Sequence, residues 1–93
     1  MKRDENFRKA AEVLKAIAHP TRLMILETLV RKSECVRDFE EAIGKRQANI
    51  SQHLAILRAR GIIDYIQEGK RRCYYLKRPK EVKEILGCLK RMS

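Results

Sequence analysis

The sequence predicts a mainly helical domain carrying one β-hairpin, in the order α-α-α-α-β-β-α. Three features carry that prediction. Apolar residues recur at three- and four-residue spacing through the first two thirds of the chain; β-branched and aromatic residues take over from Ile62; and a helical stripe returns after Pro79. The 93 residues contain no internal repeat, low-complexity tract or linker, so residues 1–93 are read as one domain.

Residues 5–18 place Phe7, Ala10, Ala11, Leu14 and Ile17 on one helical stripe, with charges between them. "HPTRLMILETLV" restarts a helix, because Pro20 suits a first turn where its missing N–H costs nothing. Leu23, Leu26, Leu29 and Val30 form its expected inner stripe. A short amphipathic helix follows on Val36, Phe39, Ala42 and Ile43, and Gly44 stops it. In "QANISQHLAILRARG", Ile50, Leu54 and Leu57 share a narrow arc and face inward. Opposite them lie Ala48, Ser51, Gln52 and Ala55, with Gln47 in the first turn and Gly61 as terminator. "IIDYIQ" and "RCYYLK", joined through "EGKR", read as a hairpin with a basic tip. Val82, Ile85, Leu86 and Leu89 supply the stripe of the last helix.

Two helices joined by a tight glycine-containing turn, followed by a basic hairpin, make a winged helix-turn-helix. In that arrangement the second helix of the unit enters the major groove of DNA. Gln47 and Gln52 can pair with adenine, and Ser51 with several bases or a phosphate. Lys70, Arg71 and Arg72 on the hairpin would meet phosphates or the minor groove. Lys45 and Arg46 sit where the helix dipole disfavours cations and neither is a good N-cap; a docked phosphate would relieve both problems, although a solvated turn explains them as well.

Charge supports a polyanionic partner. Lys and Arg number 22 against 12 Asp and Glu, a net +10, for which nucleic acid is the default and an anionic membrane surface the rival; the helix-turn-helix makes double-stranded DNA the expected form. No apolar run approaches the roughly 20 residues that span a bilayer, and the N-terminus lacks the apolar region of a signal peptide. Cys35, Cys73 and Cys88 are odd in number and show no C-x-x-C spacing, which argues against a disulfide framework or a zinc knuckle and for the cytoplasm. No nucleophile–base pair or phosphate loop is present, so no catalytic residue and no cofactor is expected.

The stretches "LKAIAHPTRLMILETL" and "ANISQHLAILRARGIIDYIQEGKRRCYYLK" resemble the arsenic-repressor and metallothionein-repressor (ArsR/SmtB) family over residues 10 to 78. The resemblance implies a homodimer joined through its first and last helices, which assigns Phe7, Ala10, Leu14, Val82, Ile85, Leu86 and Leu89 to the interface. It also implies a palindromic operator, repression relieved by a ligand or redox signal, and base contacts from Gln47, Ala48, Ser51 and Gln52. His53 is expected to pack against the domain, and His19 to serve the start of the second helix.

Departures from the family bear on the signal. Arsenic- and cadmium-sensing relatives carry "ELCVCDL" where this chain has "SECVRDF": Cys35 remains, but the second thiol is Arg37. Residues 79–93 hold no His or Asp for the zinc or nickel site of other relatives, so no metal site is expected. The cysteine that persulfide sensors carry in the second helix falls near Glu27. Cys73 is read as a packed thiol acting as a small hydrophobe. Cys88 is read either as interface packing or as a redox-active thiol near the dimer axis. Arg37 and the adjacent helix N-terminus would favour thiolate at Cys35, making it the leading effector or redox candidate.

The sequence therefore points to a dimeric, sequence-specific DNA-binding regulator. A non-specific architectural binder, a protein–protein module and a regulator without a small-molecule effector stay open.

Overall fold

A computed structural model describes residues 2–44 and 47–93; at residues 34–37, 40, 47 and 48 it describes the backbone alone. The expected elements are present, with one addition. The order is α1 (Lys2–Ile17), α2 (Pro20–Arg31), β1 (Glu34–Cys35), α3 (Val36–Ile43), α4 (Gln47–Ala59), β2 (Ile63–Glu68), β3 (Arg71–Leu76) and α5 (Pro79–Met92). The strand β1 is absent from the sequence reading. It pairs antiparallel with β3, so the hairpin becomes a three-stranded sheet of order β1-β3-β2.

α2 is the central helix. Its start is fixed locally: the His19 ring Nδ1 accepts the Thr21 N–H at 3.0 Å, and Pro20 follows in the first turn. It buries Thr21, Ile25, Leu26 and Leu29, an arc rotated from the predicted stripe toward Thr21 and Ile25, with α1, α3, α4, α5 and β3 packed on it. Leu23 and Val30, expected inside, are half-buried against the core margin.

α4 is anchored by its inner face. Ile50, Leu54 and Leu57 are fully buried, and each contributes about 2 kcal/mol of transfer free energy. Its C-terminus closes with two bonds, Gly61 N–H to the Arg58 carbonyl at 2.9 Å and Ile62 N–H to the Leu57 carbonyl at 3.1 Å. This is a Schellman motif; it needs a left-handed residue after the helix, and Gly61 has φ 72°. The same turn buries Ile62 and aims the chain into β2.

Phe39 of α3 and Tyr74 of β3 meet edge-on with ring centroids 6.4 Å apart, joining the helical layer to the sheet. α5 closes the core through Val82 and Leu86, and Lys90 reaches Glu27 of α2 at 2.6 Å. α1 behaves differently. Ala16 and Ile17 are buried, but Phe7 and Leu14 of its stripe are 64% and 60% exposed. Ala42, placed inside from the sequence, is also exposed.

One cysteine expectation is overturned. Cys73 is not a packed free thiol; it is disulfide-bonded. Sequence spacing could not show this, because the pairing of β1 with β3 is what sets Cys35 opposite Cys73. Cys88 is free and exposed.

Candidate nucleic-acid interface

The side of α4 away from the core carries Asn49, Ser51, Gln52, Ala55 and Ile56, all exposed. None bears a charge that would hold a flat or grooved surface away. Gln47 and Ala48 lie in the first turn of this helix, and their side chains fall outside the described residues, as does the whole of Arg46. Of the helix residues predicted to read bases, the described side chains are therefore Ser51 and Gln52.

The orientation of α4 depends on a residue that the sequence reading passed over. Arg22, on α2, donates from its guanidinium to the Ala16 carbonyl at 2.8 Å and to the Lys15 carbonyl at 3.3 Å, satisfying the C-terminal end of α1. Its Nε donates to His53 Nδ1 on α4 at 3.3 Å. The His53 ring also packs against His19, with centroids 4.3 Å apart. His53 thus faces the body of the domain. One arginine ties α1, α2 and the outward-facing helix together, and its position in "HPTR" is the only sequence signal for it.

The hairpin is shaped by its turn. Glu68 pairs with Arg71, leaving Gly69 and Lys70 as a two-residue loop. Gly69 has φ 61°, as a type II′ turn requires of its first central residue. Gln67 donates to the Gly69 carbonyl at 3.0 Å and stiffens the tip. Lys70, Arg71 and Arg72, the residues expected to meet phosphates, are exposed on this hairpin.

The base of the hairpin is braced to α4. Arg58 Nε donates to Asp64 Oδ1 at 3.0 Å, and the same oxygen accepts the Tyr65 N–H at 2.8 Å. These two bonds hold the Asp64 carboxyl below the usual carboxylate range, the Arg58 bond being the larger cause. The Arg58 guanidinium in turn is raised, chiefly by Asp64. Tyr65 lies between two cations, with Arg58 4.4 Å and Arg72 4.7 Å from its ring centroid. Arg72 is consequently oriented by stacking, and Arg58 is committed to the brace. Between α4 and the hairpin runs a cleft of about 310 Å³, with Ala55 and Ala59 on one side and Arg58, Arg72 and Lys77 around it. Asp64 also lines the cleft and offsets Arg58, so the small residues leave room and Arg72 and Lys77 supply the net positive potential for a phosphate-bearing strand.

The predicted interface residues divide. Phe7, Ala10, Leu14 and Leu89 are exposed, and Ile85 is half-buried. Val82 and Leu86 already serve the core of their own protomer. Met92, at 83% exposed, extends the outward apolar side of α5 beyond the predicted set. Cys35 shares the two-residue strand β1; its side chain and that of Arg37 lie outside the described residues.

Comparison with known proteins agrees with this geometry. Residues 19–65 match the family described as bacterial regulatory protein, arsR family. An uncharacterized HTH-type transcriptional regulator from Methanocaldococcus jannaschii is 43% identical over 83 residues, covering 88% of this chain and 92% of the relative. The crystal structure of the transcriptional repressor BigR from Xylella fastidiosa superimposes with a TM-score of 0.85 at 30% identity, covering 98% of this chain and 92% of that one. A homodimeric winged helix-turn-helix DNA-binding domain from Mycobacterium bovis shares the fold, with a TM-score of 0.84 at 24% identity over 98% of this chain and 83% of that one.

Proposed function

The chain belongs to the arsR family of bacterial regulatory proteins, and on that premise we propose how it engages DNA and what controls it. It is a DNA-binding transcriptional regulator with a winged helix-turn-helix fold, and not an enzyme. In our reading α4 enters the major groove, where Gln47, Ala48, Ser51 and Gln52 meet base edges and Arg46 meets a phosphate at the helix start. Lys70, Arg71 and Arg72 follow the backbone or the minor groove beside it. The observation that carries this is the two-sidedness of α4: one face is fully buried through Ile50, Leu54 and Leu57, and the other is uncharged, small and flanked by the cationic hairpin.

Two copies pair through α1 and α5. The support in this chain is the exposed apolar set Phe7, Leu14, Leu89 and Met92, which a lone protomer leaves in water. A dimer of this kind binds a palindrome with half-sites about one helical turn, roughly 10 base pairs, apart or a multiple of it. The regulator acts as a repressor in the cytoplasm, with Cys35 and Cys88 as the residues through which a ligand or redox signal acts. No metal or other cofactor enters this reading. Among the described residues no helix is long and apolar enough to cross a membrane.

Selection from a random duplex library at fixed moderate salt tests the proposal. A palindrome should be enriched. Uniform retention of all sequences, with steep salt dependence, would instead mark a binder that coats DNA by charge alone.

A further inference from the structure

We propose that Cys35 and Cys73 form a reversible disulfide that ties the helix-turn-helix unit to the hairpin, so that DNA affinity follows the thiol redox state and is higher in the oxidised form. The effect on DNA rests on the function proposed above; the disulfide itself does not. Cys73 is disulfide-bonded, and the chain has three cysteines, of which Cys88 is free. The residue facing Cys73 across the ladder is Cys35, by Cα register. Geometry and bookkeeping therefore select the same partner.

The position of the pair gives it leverage. β1 contributes only two residues to the sheet, Glu34 opposite Tyr74 and Cys35 opposite Cys73, so little else secures it. Val36, the first residue of α3, follows Cys35 directly, and α3 packs on α4. On the other side, Arg71 and Arg72 of the hairpin precede Cys73 in β3. A covalent link here fixes the cationic strand relative to the helix pair before DNA arrives. Reduction leaves that ordering to be done on binding, and binding weakens accordingly.

The chemistry needs a low-molecular-weight disulfide as oxidant. One cysteine thiolate attacks its S–S bond, forming a mixed disulfide and expelling one small thiolate. The second protein thiolate attacks the protein sulfur of that mixed disulfide and expels the other. Two protein thiols are oxidised by two electrons, one small disulfide is reduced to two small thiols, and the two protons pass to the leaving thiolates.

The test equilibrates the full chain with oxidised glutathione or with dithiothreitol, alkylates free thiols with N-ethylmaleimide, and maps the peptides by mass. Oxidised protein should be alkylated at Cys88 alone and yield a Cys35–Cys73 crosslinked peptide; alkylation of all three cysteines would overturn the proposal. Affinity is then read by fluorescence anisotropy on one fixed 30-base-pair random-sequence duplex and on any duplex enriched by selection. Reduction should weaken binding about five- to tenfold in wild-type and in Cys88→Ser, and should change nothing in Cys35→Ser or Cys73→Ser, which should match reduced wild-type. A crosslink with equal affinities in both states overturns the regulatory claim while leaving DNA binding intact. Absence of binding in both states counts instead against the proposed function, and hydrogen exchange then decides about the link: amides of residues 34–43 should exchange faster on reduction, and unchanged rates would overturn it.

Discussion

Replacing Arg22 by alanine removes three hydrogen bonds from one side chain, and the structure gives them unequal weights. The 2.8 Å bond to the carbonyl of buried Ala16 is charge-assisted and leaves that acceptor without this donor when lost, a cost of about 1.5–3 kcal/mol. The contacts to the Lys15 carbonyl and to His53 are both longer, at 3.3 Å, and the first is exposed; together they add about 0.5 kcal/mol. The expected destabilisation is therefore about 2–3.5 kcal/mol. With a urea slope of about 1.5 kcal/mol/M, the unfolding midpoint should fall by about 1.3–2.3 M. Circular dichroism in urea at fixed protein concentration measures it, since the proposed dimer would make apparent stability concentration-dependent. Arg22→Lys should recover less than half, because a point charge cannot reach separated acceptors as the guanidinium fork does. A loss below about 0.5 kcal/mol, in the range of ordinary surface substitutions, would refute the clamp. Full rescue by lysine would show that only the charge matters.

Other consequences are equally open to measurement. Asp64 has a folded-state carboxyl pKa below its usual value, so its stabilising effect is complete above the usual carboxylate range and is lost as pH falls through the lowered value. The stability gap between wild-type and Asp64→Asn should therefore shrink on acidification in urea titrations, and a gap that widens would contradict the Arg58 brace. Leu14→Glu places a charge on an exposed apolar residue of α1; sedimentation should show monomer with unchanged helical signal, and a persistent dimer would move the interface elsewhere. Arg71→Ala should weaken selected and random duplexes alike and lower the slope of log K against log salt by about one. A loss confined to the selected duplex would make Arg71 a base reader.

Much of this molecule is legible in its sequence because its signals are local. Ile50, Leu54 and Leu57 announce the buried side of α4 by spacing alone, and all three are fully buried. The two-residue turn at Gly69 and Lys70 follows from residue chemistry. What escaped reading depends on partners distant in the chain. β1 exists only because two of its residues meet β3, and the disulfide at Cys73 becomes foreseeable only once that register is known. Arg22 looks like one more surface cation until the end of α1 is seen beneath it. The exposure of Phe7 and Leu14 has the opposite cause: their stripe is real, but none of the described residues of this chain covers it.

The central claim is that the uncharged outer face of α4 reads bases, and Gln52 is its most testable residue because its side chain is exposed there. The decisive measurement is the ratio of affinities for the selected duplex and a shuffled duplex of the same composition, in wild-type and in Gln52→Ala at one salt concentration. Loss of a bidentate base contact is worth about 1–3 kcal/mol, so the ratio should fall roughly tenfold while affinity for the shuffled duplex stays nearly constant. Equal weakening on both duplexes, with the ratio unchanged, would contradict base reading by this helix.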